Sequence, residues 1–158
     1  MSKKILLKKK QGFKYSIILI DGFYGAGKTI STSIVSTYKN VQNQSIIYPF
    51  DYITVLNYLK KLGDQSSSQL LKLISDENFF NYEIGRKINL RVFDHTGLKD
   101  NPYYKEDINK IFVNNEKKVL KSVDNKNKIQ TIMAHNIFLN YNLLKKTFKN
   151  KLTIIVCV

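Results

Sequence analysis

A chain of 158 residues, 43% of them hydrophobic, is long enough to bury the core of one domain and too apolar to remain disordered. No run of about 18 apolar residues occurs, which excludes a hydropathic membrane span, and the single cysteine, Cys157, excludes an internal disulfide. The formal net charge of +14 comes almost wholly from lysine; Arg86 and Arg91 are the only guanidinium groups, so the composition argues against a sequence-specific reader of nucleic acid, for which arginine is the preferred bidentate donor.

Residues 1–14 carry six lysines and read as a basic N-terminal tail ahead of one domain spanning 15–158. The apolar run Ile5 to Leu7 is too short for a signal-peptide core, which together with the lone cysteine implies a cytoplasmic setting. Residues 15–21 form an apolar run of strand length, expected at the centre of a sheet with both faces covered. Directly after it come Gly22, Phe23, Tyr24, Gly25, Ala26, Gly27, Lys28 and Thr29, which fit G-x-x-x-x-G-K-[ST], the phosphate-binding P-loop. A helix is expected over about 28–38. Strand, glycine loop and helix form the context in which this pattern has a mechanism. Backbone N–H groups from Gly22 to Ile30 would wrap phosphates, and the helix N-terminus would add partial positive charge. Lys28 would reach the terminal anionic group, and the Thr29 hydroxyl would hold Mg²⁺ where a metal is used.

Residues 45–48 read as a second short strand ended by Pro49, and the apolar spacing over 52–62 as a helix. The serine-rich stretch 63–68 reads as a turn, followed by helices over about 69–75 and 77–86. Residues 88–93 alternate and then become apolar, which predicts a strand with Asp94 and His95 at its end. A long amphipathic helix is expected from about 104 to 123. A strand follows over 129–134 with His135 at its end, then a helix over 138–148 and a final apolar strand over 152–158.

Strands alternating with helices imply an α/β fold of three αβα layers around a mostly parallel sheet. Ligands of such sheets bind at the carboxyl ends of the strands. On this reading the glycine loop, Asp94 with His95, and His135 share that edge. Asp94 would hold Mg²⁺ or act as a base, or else cap its own turn; His95 and His135 are acid–base candidates near neutral pH. Asp21 would either satisfy loop amides or face the phosphates. The last strand has no loop after it on the ligand edge, so the sequence reads as the first part of a longer domain.

The segment 129–144, with His135 after its strand, and the strand 151–156 that follows resemble the sulfotransferases. In that family a strand ends in a Thr-His-Leu-Pro type motif, and a helix and an apolar strand lead to an Arg-x-Pro motif. The resemblance implies the P-loop nucleoside-triphosphate-hydrolase fold, with His135 as catalytic base. It implies 3′-phosphoadenosine 5′-phosphosulfate as donor and an acceptor bearing a hydroxyl group. Ala134 and Ile137 stand where the family has Thr and Pro, and the chain ends where Arg-x-Pro would begin. The family's loop is Pro-Lys-x-Gly-Thr-[ST] with an early lysine, whereas Lys28 comes late, as in ATP- and GTP-binding proteins. Two readings therefore stand: a sulfotransferase-like group-transfer enzyme, and an ATP-dependent small-molecule kinase or NTPase using Mg²⁺ at Thr29 and Asp94.

Overall fold

Four aliphatic residues in succession, Ile17 to Ile20, favour a strand covered on both sides, and the computed structural model places them at the centre of a parallel sheet. The structure describes residues 14–43, 45–94, 96–113, 115–135 and 137–158. The basic segment 1–13 and His95, both singled out above, lie outside these residues. Among those described, the strands are β1 (Ser16–Gly22), β2 (Ser45–Ile46), β3 (Ile129–Met133) and β4 (Leu152–Cys157). The α-helices are α1 (Lys28–Val35), α2 (Tyr48–Tyr58), α3 (Asp64–Glu83), α4 (Tyr104–Ile111), α5 (Glu116–Val123) and α6 (Tyr141–Phe148).

The sheet order is β2-β3-β1-β4, with every pairing parallel. Register runs from Ser16↔Ile129 to Ile20↔Met133 on one side of β1, and from Ile17↔Leu152 to Gly22↔Cys157 on the other. Alternation along β1 sends Ile17 and Leu19 into the main core with Phe50 of α2, Leu71 and Phe79 of α3, and Leu144 and Phe148 of α6. Ile20 faces the other way. Helix α1 packs on that second face, against β1 and β3, and its Ser31 hydroxyl meets the Cys157 thiol at 3.4 Å. Helices thus cover both faces of the sheet, as an α/β fold requires. Among the described residues no helix is long and apolar enough to cross a membrane.

This layout fixes where a site can form. β1 hands the chain to α1 on one face. Its neighbour β3 hands the chain to a 3₁₀ turn (Ile137–Asn140) and α6 on the opposite face. Adjacent strands whose connections depart to opposite faces leave a crevice at their carboxyl ends. Residues 22–28 on one side, and Ala134, His135, Ile137 and Phe138 on the other, stand at those carboxyl ends as its two lips.

Four expectations need correction. Residues 88–93 form no strand. The Asn89 side chain accepts from the Arg91 N–H at 3.1 Å, and the Asp94 carboxylate from the Thr96 N–H at 2.9 Å. Such local bonds offer the backbone an alternative to a ladder, and Leu90, Val92 and Phe93 are left exposed. The stretch 64–83 is one helix, not a turn and two pieces. Its polar residues make tertiary contacts instead of ending it: buried Ser75 donates to Gln130 Oε1 at 2.6 Å and shares a hydrogen bond of 2.7 Å with the Tyr15 hydroxyl. The long helix expected over 104–123 is two, because the Asn115 side chain accepts from the Lys118 N–H and starts α5 afresh. Pro49 also belongs to the first turn of α2, where a missing N–H costs nothing.

Candidate functional site

The glycine loop departs from the exit end of β1 and delivers the chain into α1. Gly22 has φ 147° and lies against the Cys157 carbonyl of β4, in the space that a Cβ would fill. Gly27 has φ 76° and stands immediately before α1, in the left-handed region that glycine enters freely. The Ser31 N–H donates to its carbonyl at 3.0 Å. The Lys28 side chain, 6% exposed, curls back into the loop, and its Nζ donates to the carbonyls of Gly22 at 2.8 Å and Phe23 at 2.5 Å. An ammonium held by neutral carbonyls is a ready exchange partner for an anion, which it binds more strongly. The Thr29 hydroxyl makes no hydrogen bond among the described residues, while Thr32 back-bonds to the Lys28 and Thr29 carbonyls. Tyr24, 99% exposed, stands at the tip of the loop.

The opposite lip begins where β3 ends. Its ladder runs one residue further, the Ala134 N–H donating to the Ile20 carbonyl at 3.0 Å. His135 follows. Its backbone N–H donates to Asp51 Oδ1 at 2.8 Å, and its ring Nδ1 lies 3.3 Å from Asp51 Oδ2. The next turn is held from the other side: the Phe138 N–H donates to Asp21 Oδ2 at 2.6 Å. Asp21 is the residue just before Gly22, so one carboxylate joins the root of the glycine loop to the β3 exit. Phe23 and Phe138 meet edge to face with centroids 6.0 Å apart, a second bridge between the lips.

The Asp51 carboxyl senses the Asp21 charge. Burial raises the Asp51 pKa above the ordinary carboxylate range; the Asp21 charge adds to that, and the His135 hydrogen bonds offset it only in part. Asp21 is fully buried, and its Oδ1 has no hydrogen-bond partner among the described residues.

The fold therefore brings Lys28, the loop and His135 to one edge of the sheet. It does not bring Asp94 there. The 94–97 turn is tied by its Thr96 and Gly97 carbonyls to the Asn43 side chain, ahead of β2, on the strand-entry side. The Asp94 carboxylate accepts from the N–H and hydroxyl of Thr96, and these bonds hold its pKa below the usual carboxylate value. It caps its own turn. Arg86 and Arg91 are exposed on the same segment. Asp51 was missed by sequence reasoning because residues 45–49 read as a strand and its end. An acid two residues after a proline, with helical spacing beyond it, is the signal that could have found it, since the first turn of a helix favours an anion.

Among the described residues no group of three or more His, Cys, Asp and Glu side chains is arranged to hold a metal ion. Comparison with family models, curated proteins and solved structures gave no match to this chain.

Proposed function

We propose that the chain is a P-loop nucleotide-binding group-transfer protein of sulfotransferase-like type. One observation carries the reading: a buried lysine in a glycine loop and a histidine backed by a carboxylate stand at the exit ends of adjacent parallel strands. In this reading the loop amides and Lys28 hold the 5′-phosphosulfate of 3′-phosphoadenosine 5′-phosphosulfate, and the α1 N-terminus adds its dipole. His135 accepts the proton of an acceptor hydroxyl. The acceptor oxygen bonds to sulfur, and the bond from sulfur to the donor's bridging oxygen breaks. The electron pair leaves on that oxygen, where Lys28 offsets the developing charge.

The second reading is an ATP-dependent small-molecule kinase or NTPase. The late lysine and the hydroxyl of Thr29 favour it, since ATP chemistry takes Mg²⁺ at that hydroxyl. Asp94 is too far around the sheet for the metal role in that mechanism, and Asp21 and Asp51 are the carboxylates beside the loop.

Calorimetry separates the two. Binding of 3′-phosphoadenosine 5′-phosphate without metal supports sulfuryl transfer; binding of ATP with Mg²⁺ alone selects the kinase reading. In either case Lys28→Ala removes the ammonium that would exchange its loop carbonyls for the phosphate; at about 1.5–3 kcal/mol per charge-assisted hydrogen bond, the variant should bind nucleotide at least ~100-fold more weakly. Unchanged affinity in that variant would refute the phosphate-binding loop.

A further inference from the structure

We propose that Asp51 is the positioning residue of His135, holding its imidazole in the Nδ1–H tautomer so that Nε2 is the nitrogen that takes the acceptor's proton. The purpose of the arrangement rests on the group-transfer reading above; its substance rests on geometry. The two Asp51 oxygens are divided between two tasks. Oδ1 accepts the His135 backbone N–H at 2.8 Å, which leaves Oδ2 facing ring Nδ1 at 3.3 Å. An ionised carboxylate only accepts, so the ring nitrogen opposite it carries the proton. The other nitrogen then holds a lone pair, and Nε2 has no hydrogen-bond partner among the described residues. The His135 side chain is 37% exposed, open enough for an acceptor to reach, whereas Asp51 is 15% exposed behind it.

The bond to the backbone matters as much as the bond to the ring. It locks Asp51 to the very residue whose ring it orients, and Asp21 pins the following turn through the Phe138 N–H. The imidazole is therefore held by its own main chain, by α2 and by the root of the glycine loop. When the acceptor proton arrives at Nε2, the acceptor oxygen forms its bond to the transferred group and the bond to the donor's oxygen breaks. The imidazolium so formed lies against the Asp51 carboxylate, and its charge is partly offset there.

Nitrogen-15 NMR of the imidazole reads the tautomer directly. The chain contains two histidines, so His95→Gln leaves His135 as the single ring signal. In mildly alkaline buffer the expected spectrum has a protonated Nδ1 and a bare Nε2. Asp51→Asn is isosteric. Its remaining oxygen keeps the backbone bond, its amide turns an N–H toward Nδ1, and the tautomer should invert to Nε2–H. An Nε2–H ring in the parent, or an Nδ1–H ring that survives Asp51→Asn, overturns the proposal. No nucleotide is needed for this measurement, so a chain that binds neither 3′-phosphoadenosine 5′-phosphate nor ATP sinks the group-transfer reading and still leaves the tautomer decided. With transfer in hand, Asp51→Asn should keep nucleotide affinity and lower kcat roughly 10²- to 10⁴-fold. A fall in kcat without tautomer inversion would make Asp51 merely structural and refute its positioning role.

Discussion

The entry and exit edges of the sheet bury charge in opposite ways. At the entry edge Glu83 is fully enclosed, yet Lys110 lies 3.5 Å and Lys128 3.6 Å from its oxygens, and Gln42 and Ser122 donate to it as well. Beside it Asp107 accepts from the Tyr82 hydroxyl at 2.6 Å and from Lys110 at 2.7 Å. At the exit edge Asp21 and Asp51 approach each other with no lysine or arginine ion pair among the described residues, and one Asp21 oxygen goes unbonded. Burial raises the Glu83 pKa, but Lys110, Lys128 and the Ser122 and Gln42 hydrogen bonds together outweigh it and hold the carboxyl below the ordinary range; Asp51 is shifted the other way. The entry edge spends its charges on holding the fold. The exit edge keeps two carboxylates without a lysine or arginine ion pair among the described residues, the contrast that the proposed site relies on.

The largest effect that tests this contrast is Gly22→Ala. The new Cβ would collide with the Cys157 carbonyl at a φ that side chains rarely adopt, and chemical denaturation should show a loss of about 3–5 kcal/mol. A small loss would mean that β4 does not grip the loop. Next is Glu83→Gln, which leaves Lys128 without its buried partner and Lys110 with Asp107 alone, and should cost about 3 kcal/mol. The sign with pH follows from its lowered pKa. The Glu83 contribution is complete above the unfolded glutamate value of about 4.3 and is lost as pH falls through the lower folded value. An acid titration of stability should therefore be flatter in the variant.

Asp51→Asn is expected to go the other way. A folded pKa raised by burial means that ionisation costs stability as pH rises through the carboxylate range, so the neutral amide should match or exceed the parent at pH 7, by no more than about 1 kcal/mol. A clear loss in the melting temperature would place Asp51 with Glu83 as a structural acid and erase the contrast. The smallest effect belongs to Asp94→Ala. Losing this turn cap should lower the denaturation midpoint only slightly, less than any variant above, with nucleotide affinity unchanged by calorimetry. A drop in affinity there would return Asp94 to the site.

What the sequence made legible follows a physical division. The glycine loop, β1, β3 and β4 rest on short-range patterns: glycines where a left-handed backbone is needed, and aliphatic runs where both faces of a strand are covered. His135 was placed at its edge by the same rule. The Asp51–His135 pair spans 84 residues of chain, and no local pattern encodes such a partnership. The missing strand at 88–93 failed for a related reason. Its alternation is real, but Asn89 and Asp94 supply local hydrogen bonds that a propensity argument does not weigh, and among the described residues no strand pairs with it. Ser75 inside α3 reads as a breaker until Tyr15 and Gln130 appear beside it.

The placement of β1 between β3 and β4 has a consequence for how the protein comes into being. β1, the first strand among the described residues, has both of its partners more than a hundred residues further along the chain. At a ribosomal pace of about 5–20 residues per second, β1 waits on the order of 5–20 s for its first pairing strand. Gly22 waits longer, since its neighbour is Cys157. The glycine loop is thus made well before the strands that close around it. Folding of this chain should be slow for its size, as loop-closure entropy dictates when the central strand has only distant partners.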